Sequence, residues 1–482
     1  MARSQRILTE LWPDRPGGRL ALVLALCTAL ALRLAGLDWG LPGAEHFFPF
    51  HPDEWINLEG PRRMVLTGDL DPGHFNYGSL HAYLTWLVLG ACQALGLLGS
   101  PAAWFLAARV PVVLLGVLSV WLMLPLGRRL GSERLGLVAA WALALCPGHA
   151  LHSGWFTVDV PSICFALVAT WAALVHVDAG GRRALVACGL AAGLAAATKY
   201  PAGIVVLAGV AAATLRLRAD GRLTARALAP AVGVLAGSAL AAFLAGVPYA
   251  VLDFPAFWRD MTWELFDHSQ GDHWTLFSGS GNGWWFLLRV NLVYVMGLGA
   301  LVVALPGLVL LHRRRPRGGA VLWAWAVPYA WLLGLAGLRF QRYALLLAPV
   351  LALGLAAAAL AVEDRVRRGL GRRGRALPAR AAALVPALFL VWPGWLCLRQ
   401  AEALRGPDPR LQCARWVRDH VPEGASVGMM MHPHWFSAPI TPFNAGKPAA
   451  AYGDDRRLPW DLVVLERWDP RPLPSGGRTG SC

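Results

Sequence analysis

The chain has 482 residues, 56% of them hydrophobic and only 15% charged, with a formal net charge of +15. That composition excludes an ordinary soluble enzyme. The positive charge does not argue for nucleic acid, because the arginines sit in short loops between apolar runs, the positive-inside pattern of a polytopic membrane protein.

The apolar runs are about 17–25 residues long, enough to cross a bilayer as helices. The N-terminal tail carries Arg3, Arg6, Arg15 and Arg19, which places it in the cytoplasm. Leu20–Leu37 reads as the first span, a retained anchor and not a cleaved signal peptide, since no small-residue cleavage site follows it. A polar stretch runs from there to Pro101. Spans are then expected at Ala102–Leu126, Leu135–His149, Val160–Val177, Ala184–Thr198, Ala202–Leu215 and Ala227–Val247. Four more follow at Trp285–Leu311, Ala320–Leu338, Tyr343–Val362 and Ala381–Leu398. The expected fold is an all-α polytopic membrane protein of about eleven spans.

Ser79–Leu98 is apolar enough to count as a twelfth crossing. If it crossed, every later arginine-rich loop would face outward. It is therefore read as a helix lying in the outer interface, or dipping in and returning. Trp55–Leu66 reads as a second, more polar interfacial helix. The chain divides into a membrane domain, 1–398, with outer loops at 39–101 and 248–284, and a small extracytoplasmic domain, 399–482. In the latter, Pro409–His420 has the pattern of an amphipathic helix, and Ser426–Met431 and Asp461–Leu465 read as short strands. The proline- and glycine-rich end, Asp469–Cys482, reads as disordered.

With this orientation several polar clusters share the outer side. Phe50-His51-Pro52-Asp53-Glu54-Trp55 sets an acidic pair beside a histidine just after the first span. His152, Trp155 and Asp159 stand before the fourth span, and Lys199-Tyr200-Pro201 separates the fifth from the sixth. Asp267, His268, Asp272 and His273 lie in the long outer loop, and Arg339, Arg342 and Tyr343 open the tenth span. Acids and bases gathered on one face suggest a reaction at the membrane surface. A transporter would more often set its polar groups near the midplane on interrupted helices.

Each cluster has a plain structural reading too. Asp53 and Asp159 both suit helix N-caps. Lys199 suits snorkelling to headgroups, although the chain holds only one other lysine, Lys447. Arg342 at an outer helix end breaks the positive-inside trend, which favours an anionic ligand. His268 and His273 suit an ordinary loop. Arg109 and Arg289 lie inside spans near their outer ends, placed either to snorkel or to face a cavity.

Together these motifs resemble the GT-C superfamily of polyprenyl-phosphate-sugar-dependent glycosyltransferases. Within it the likeness is to bacterial relatives of the protein O-mannosyltransferases and to the aminoarabinose transferases of lipid A. The residues that carry it are His51-Pro52-Asp53-Glu54, Gly68-Asp69-Leu70-Asp71-Pro72, Phe75-Asn76-Tyr77, Thr157-Val158-Asp159-Val160-Pro161, Thr198-Lys199-Tyr200-Pro201 and Arg342-Tyr343-Ala344-Leu345.

The resemblance implies a GT-C fold at the inner membrane and transfer of a sugar from a polyprenyl-phosphate donor to an acceptor hydroxyl. It implies Asp53 as general base, Glu54 positioning the acceptor or Asp53, and Asp159 as the second acidic position. Lys199, Arg342 and Arg289, with Tyr200 and Tyr343, would hold the donor phosphate. His51, Asn76, Tyr77, His268 and His273 would line the acceptor or donor sugar. Two departures matter. Asn76 and Tyr77 stand where the aminoarabinose transferases carry an acidic residue and a lysine, which leaves His268 as the remaining candidate ligand of a divalent cation and makes metal-independent, inverting transfer the expectation. No β-rich domain interrupts the later spans, as one does in the protein O-mannosyltransferases. That departure argues against a protein acceptor, and the acceptor is expected to be a lipid, a glycan or, against that departure, a protein. The rival functions are a glycolipid transporter or flippase, and a non-catalytic assembly subunit of the same fold.

Overall fold

The computed structural model describes residues 10–268, 277, 279–372, 378–422, 425–429, 437–440 and 461–464. The apolar runs become helices because a chain in lipid must satisfy its backbone polar groups within its own segment. α1 (Pro16–Leu34) leads into a loop that carries α2 (Pro52–Thr67) and α3 (Leu80–Ala94). Then come α4 (Pro101–Leu130), α5 (Glu133–Ala144), the short α6 (Pro147–His152), α7 (Asp159–Ala179) and α8 (Arg182–Thr198). A 3-10 turn, Tyr200–Val205, opens α9 (Val206–Ala219), followed by α10 (Ala225–Gly246).

The long loop holds α11 (Tyr249–Leu252), α12 (Phe254–Thr262) and a π-helical turn, Trp263–Asp267. α13 (Gly283–Phe286), a second π turn, Leu287–Asn291, and α14 (Leu292–Met296) then meet α15 (Leu298–Arg314). The two halves are bent by 105°, and Gly297 between them takes a φ of 81° that only glycine adopts freely. α16 (Pro316–Leu335), a 3-10 turn, Gln341–Leu347, α17 (Ala348–Gly371), α18 (Ala379–Arg405) and α19 (Pro409–His420) complete the helices. Strands β1 (Ser426–Met429) and β2 (Asp461–Val464) pair in parallel, close to the expected ranges. Residues 469–482 lie outside the described residues.

Among the described residues, eight helices are long and apolar enough to cross a membrane, or nine if the bent pair counts as one span. The chain is a multi-pass membrane protein. Two of the eleven expected spans fall short of that test. α5 has 12 residues before the chain breaks at Leu145, and α8 has 17. α3, expected to lie in the interface, has 15 residues and is not among the helices long enough to cross.

α7 and α17 form the centre, each with 83% of its apolar window buried, while α10 and α18, at 11% and 17%, face outward. The arginine-rich turns meet at one end of the bundle. Arg129 pairs with Asp178 at 3.0 Å, Arg134 with Glu363 at 2.7 Å and Arg314 with Asp364 at 3.7 Å. The candidate residues gather at the other end.

The loop before α3 is seated on α8 through Gly78. A Cβ there would lie 2.0 Å from the Ala197 carbonyl oxygen. Gly78→Ala is expected to lower stability by about 1–3 kcal/mol, read as a lower thermal midpoint in detergent. Gly43→Ala, where an added methyl meets nothing within 4 Å, should leave the midpoint unchanged. Equal midpoints for both would show that the loop does not depend on this seat.

Candidate functional site

Pro52 opens α2 with φ already suited to a helix, and His51 is its N-cap residue. Asp53 therefore stands in the first turn, not at the cap, and its side chain caps nothing. Its carboxylate instead meets Arg342 Nη2 at 3.0 Å. Asp159 likewise begins α7 without capping it. It accepts from Lys199 Nζ at 2.5 Å, with the two side chains 4% and 9% exposed. Lys199 does not snorkel: α8 ends in an extended residue there, and the ammonium turns inward. Each of these four charges is paired, which is the condition for keeping it charged away from water.

The two pairs share one wall. Lys199 Nζ lies 4.6 Å from the Tyr343 ring centroid, and the Arg342 guanidinium lies 5.6 Å from it. Arg342 also stacks on Phe340 at 4.7 Å. Tyr329 fixes this turn by donating its hydroxyl to the Tyr343 carbonyl at 2.6 Å. Tyr77 lies close enough to feel Asp53, Arg342 and Glu264, and burial beside Asp53 holds its phenol well above the ordinary range, so it remains a neutral donor. The His51 ring packs against Trp155, centroids 4.8 Å apart, and faces the His152 edge at 6.4 Å. His51 Nδ1 has no hydrogen-bond partner among the described residues.

Several expected roles change. Glu54 is fully buried: Arg109 donates to both its oxygens at 2.7 and 2.6 Å, and the Phe156 N–H donates to one of them at 2.7 Å. That carboxylate has no face left for an acceptor, and Arg109 neither snorkels nor lines a cavity. The Tyr200 hydroxyl is spent on the carbonyls of Phe75 and Tyr77, at 2.6 and 3.1 Å, so it ties down the loop and is not free for a phosphate. Arg289 is exposed, over the Trp285 ring at 5.3 Å, and no ion pair joins it to either central pair among the described residues. His268 pairs with Glu264 at 3.2 Å and stacks on Trp263 at 4.7 Å. Asn76 reaches the same Glu264 at 3.5 Å. His273 and Asp272 lie outside the described residues.

Glu264 and Arg33 escaped the sequence reading. Glu264 stands four residues before His268, the helical spacing that would have found it. Arg33 is buried in α1 and donates to Ser153 Oγ at 3.2 Å and the Ala29 carbonyl at 2.9 Å, with its Nη2 2.8 Å from His149 Nδ1. It holds α6 in place beside the His152 and Trp155 turn, and His149 must therefore be neutral with Nδ1 accepting. Nothing in a lone arginine within an apolar run signals that role. Tyr294, whose hydroxyl is 2.8 Å from His152 Nε2, is equally silent in sequence.

A family model of dolichyl-phosphate-mannose-protein mannosyltransferases matches residues 97–249, the stretch that contains Asp159 and Lys199. Three solved structures share the fold. ArnT from Cupriavidus metallidurans bound to undecaprenyl phosphate is 18% identical, with a TM-score of 0.56, over 86% of this chain and 83% of that one. The Archaeoglobus fulgidus oligosaccharyltransferase with zinc and sulfate is 18% identical, with a TM-score of 0.55, over 84% of this chain. AglB from the same organism, with an inhibitory peptide and a dolichol-phosphate, is 14% identical, with a TM-score of 0.54, over 84% of this chain. The chain resembles the GT-C superfamily of glycosyltransferases. It spans only 56% and 58% of the two archaeal structures. No curated protein matches it significantly by sequence.

The family likeness raises a metal. Among the described residues no three His, Cys, Asp or Glu side chains come together to hold one. Among the described residues Glu264 and His268 supply two donors and no third.

Burial keeps the histidines around the Asp53 turn neutral. It pushes His51 down to about 4, against Glu54 and with help from Arg342 and Arg109, and His81 to about 4 as well. It also lowers His46 and His74. The unfolded chain takes up these protons below about 6.5 while the folded one does not. Their contribution to stability is therefore complete above that pH and is lost as the pH falls toward 4. The thermal midpoint should drop across that window, and less so in His51→Gln. An unchanged slope in the variant would mean that His51 does not titrate as its burial implies.

Proposed function

We propose that the chain is an integral membrane glycosyltransferase that moves a sugar from a polyprenyl-phosphate donor to an acceptor hydroxyl. The observation that carries this reading is the pair of carboxylate–cation contacts, Asp53 with Arg342 and Asp159 with Lys199, set against the same Tyr343 ring. The acceptor oxygen attacks the anomeric carbon with inversion, and its proton passes to Asp53. The bond from that carbon to the lipid phosphate oxygen breaks, and the phosphate leaves with the electron pair. Lys199 and Arg342 are placed to receive its negative charge. Asp159 orients Lys199. Tyr77 and the unpaired His51 nitrogen supply neutral hydrogen bonds to sugar hydroxyls. Glu54 and Tyr200 act on the scaffold.

The site end would face outward from the cytoplasmic membrane, with the N-terminus and arginine-rich turns inside. Residues 1–398 would form the catalytic membrane domain, and 399–482 would stand outside the membrane. The bilayer lipids are its solvent, and a lipid-linked sugar reaches the site from among them. The likeness to structures holding undecaprenyl phosphate and dolichol-phosphate supports a lipid-phosphate donor; the acceptor is a lipid, a glycan or a protein.

The test is transfer of label from polyprenyl-phosphate hexoses and pentoses by membranes carrying the protein. At least one donor should be consumed with release of lipid phosphate, and Lys199→Gln should slow turnover about 10²–10³-fold, the cost of losing one preorganised donor to a developing oxyanion. If no donor turns over while carrier lipid still binds, the chain is a flippase or an assembly subunit.

A further inference from the structure

We propose that α19, outside the membrane body, positions the catalytic turn, with Arg410 as the positioning residue. This rests on Asp53 being the base.

Arg410 lies 3.8 Å from the Phe50 ring centroid and 5.1 Å from that of Trp39. Its Nη1 reaches the Phe50 carbonyl at 3.5 Å. Phe50 is three residues before Asp53 and is 2% exposed. Its other face stacks on His46 at 4.1 Å and an interplanar angle of 13°, and its N–H donates to the Gly40 carbonyl at 2.8 Å. Trp39 in turn meets Trp155 at 5.4 Å, the ring against which His51 packs. The guanidinium thus rests on the aromatic layer from which the Asp53 turn departs.

The guanidinium is itself aimed. Asp408 accepts the Arg410 backbone N–H at 2.9 Å, capping α19, and accepts from Nε and Nη2 at 2.9 and 2.7 Å. A second anchor lies further along the helix, where Arg415 donates to Glu45 at 2.9 and 2.6 Å and Arg418 does so at 3.0 Å. Two anchors on one helix grip both ends of the segment from Glu45 to Phe50. The apolar face of α19 is occupied elsewhere, with Ala414 and Val417 packed on Ile440. The contacts with the loop are therefore not simply what buries this helix. Releasing Phe50 lets Asp53 drift from its place beside Arg342, and about 1 Å of misplacement costs on the order of 100-fold in rate.

The experiment compares Arg410→Met, Arg410→Lys, Asp53→Asn and the Arg410→Met/Asp53→Asn pair, each measured per folded enzyme with the active donor. Arg410→Met should lower kcat at least tenfold with donor KM within about twofold, as expected of a residue that acts through the base and not on the donor. Arg410→Lys should recover part of that loss through the remaining cation–π contact. The paired variant should be no slower than Asp53→Asn alone, because a misplaced base costs nothing once the base is gone. If Asp53→Asn turns over normally, the base assignment fails, whatever Arg410 does. If Asp53→Asn is inactive but Arg410→Met keeps wild-type kcat, or loses only folded protein, the positioning role alone is overturned. A further loss in the paired variant also overturns it.

Discussion

Asp53→Asn is expected to transfer sugar about 10²–10⁴-fold more slowly than the wild type, with the same amount of folded protein and intact binding of carrier lipid. Asparagine keeps the shape and an oxygen for Arg342, 3.0 Å away, and loses only the charge that accepts the proton. The Asp53 side chain is 20% exposed, open enough to meet an acceptor. Two other acids of the motifs, Glu54 and Asp159, are poor substitutes. Glu54 has both oxygens engaged by Arg109 and the Phe156 N–H, and the Asp159 side chain is 4% exposed against Lys199. Turnover equal to the wild type would remove Asp53 from the mechanism and leave Asp159, released from Lys199 by the incoming phosphate, as the remaining base. Asp53→Glu is the informative companion: it keeps the charge but pushes the carboxylate outward by one methylene, and partial activity is expected from it.

The largest effect on folding should come from Glu54→Ala or Arg109→Ala, each expected to cost about 3–5 kcal/mol because an uncompensated charge is left in the interior. Both side chains are fully buried, and solvent does not screen them. The network extends past the pair. Arg109 also donates to the carbonyls of Leu37 and Trp39, at 2.5 and 3.0 Å, and Glu54 holds the Phe156 N–H. One ion pair thereby joins the loop after α1, the start of α2, the first third of α4 and the turn before α7. Thermal unfolding in detergent measures the loss, and activity should disappear with the fold. The Glu54→Leu/Arg109→Met pair should recover much of the stability, since two apolar groups can replace a buried ion pair at little cost. Single variants as stable as the wild type would show that water reaches this pair.

The sequence by itself determined the solvent, the helices and the two ends of the bundle. Hydrophobic length and the arginine bias are local properties of the chain, and the bilayer acts on each apolar segment nearly alone. That is why α4, α7 and α10 fall where the apolar runs do. The sequence also named Asp53, Asp159, Lys199 and Arg342, because charges are costly enough at helix ends in lipid to mark themselves. The tertiary structure decided the partners. Glu54 and Asp53 are neighbours with equal claims in sequence. One turns into the protein toward Arg109, 55 residues on, and the other turns toward Arg342. Lys199 finds Asp159 across 40 residues, and Arg410 finds Phe50 across 360. Helical periodicity carries information over one or two turns, so it fixes which face of a helix a residue occupies and not which helix it meets. That choice belongs to the packing of the whole bundle, where α7 and α17 at the centre bring distant segments to one end.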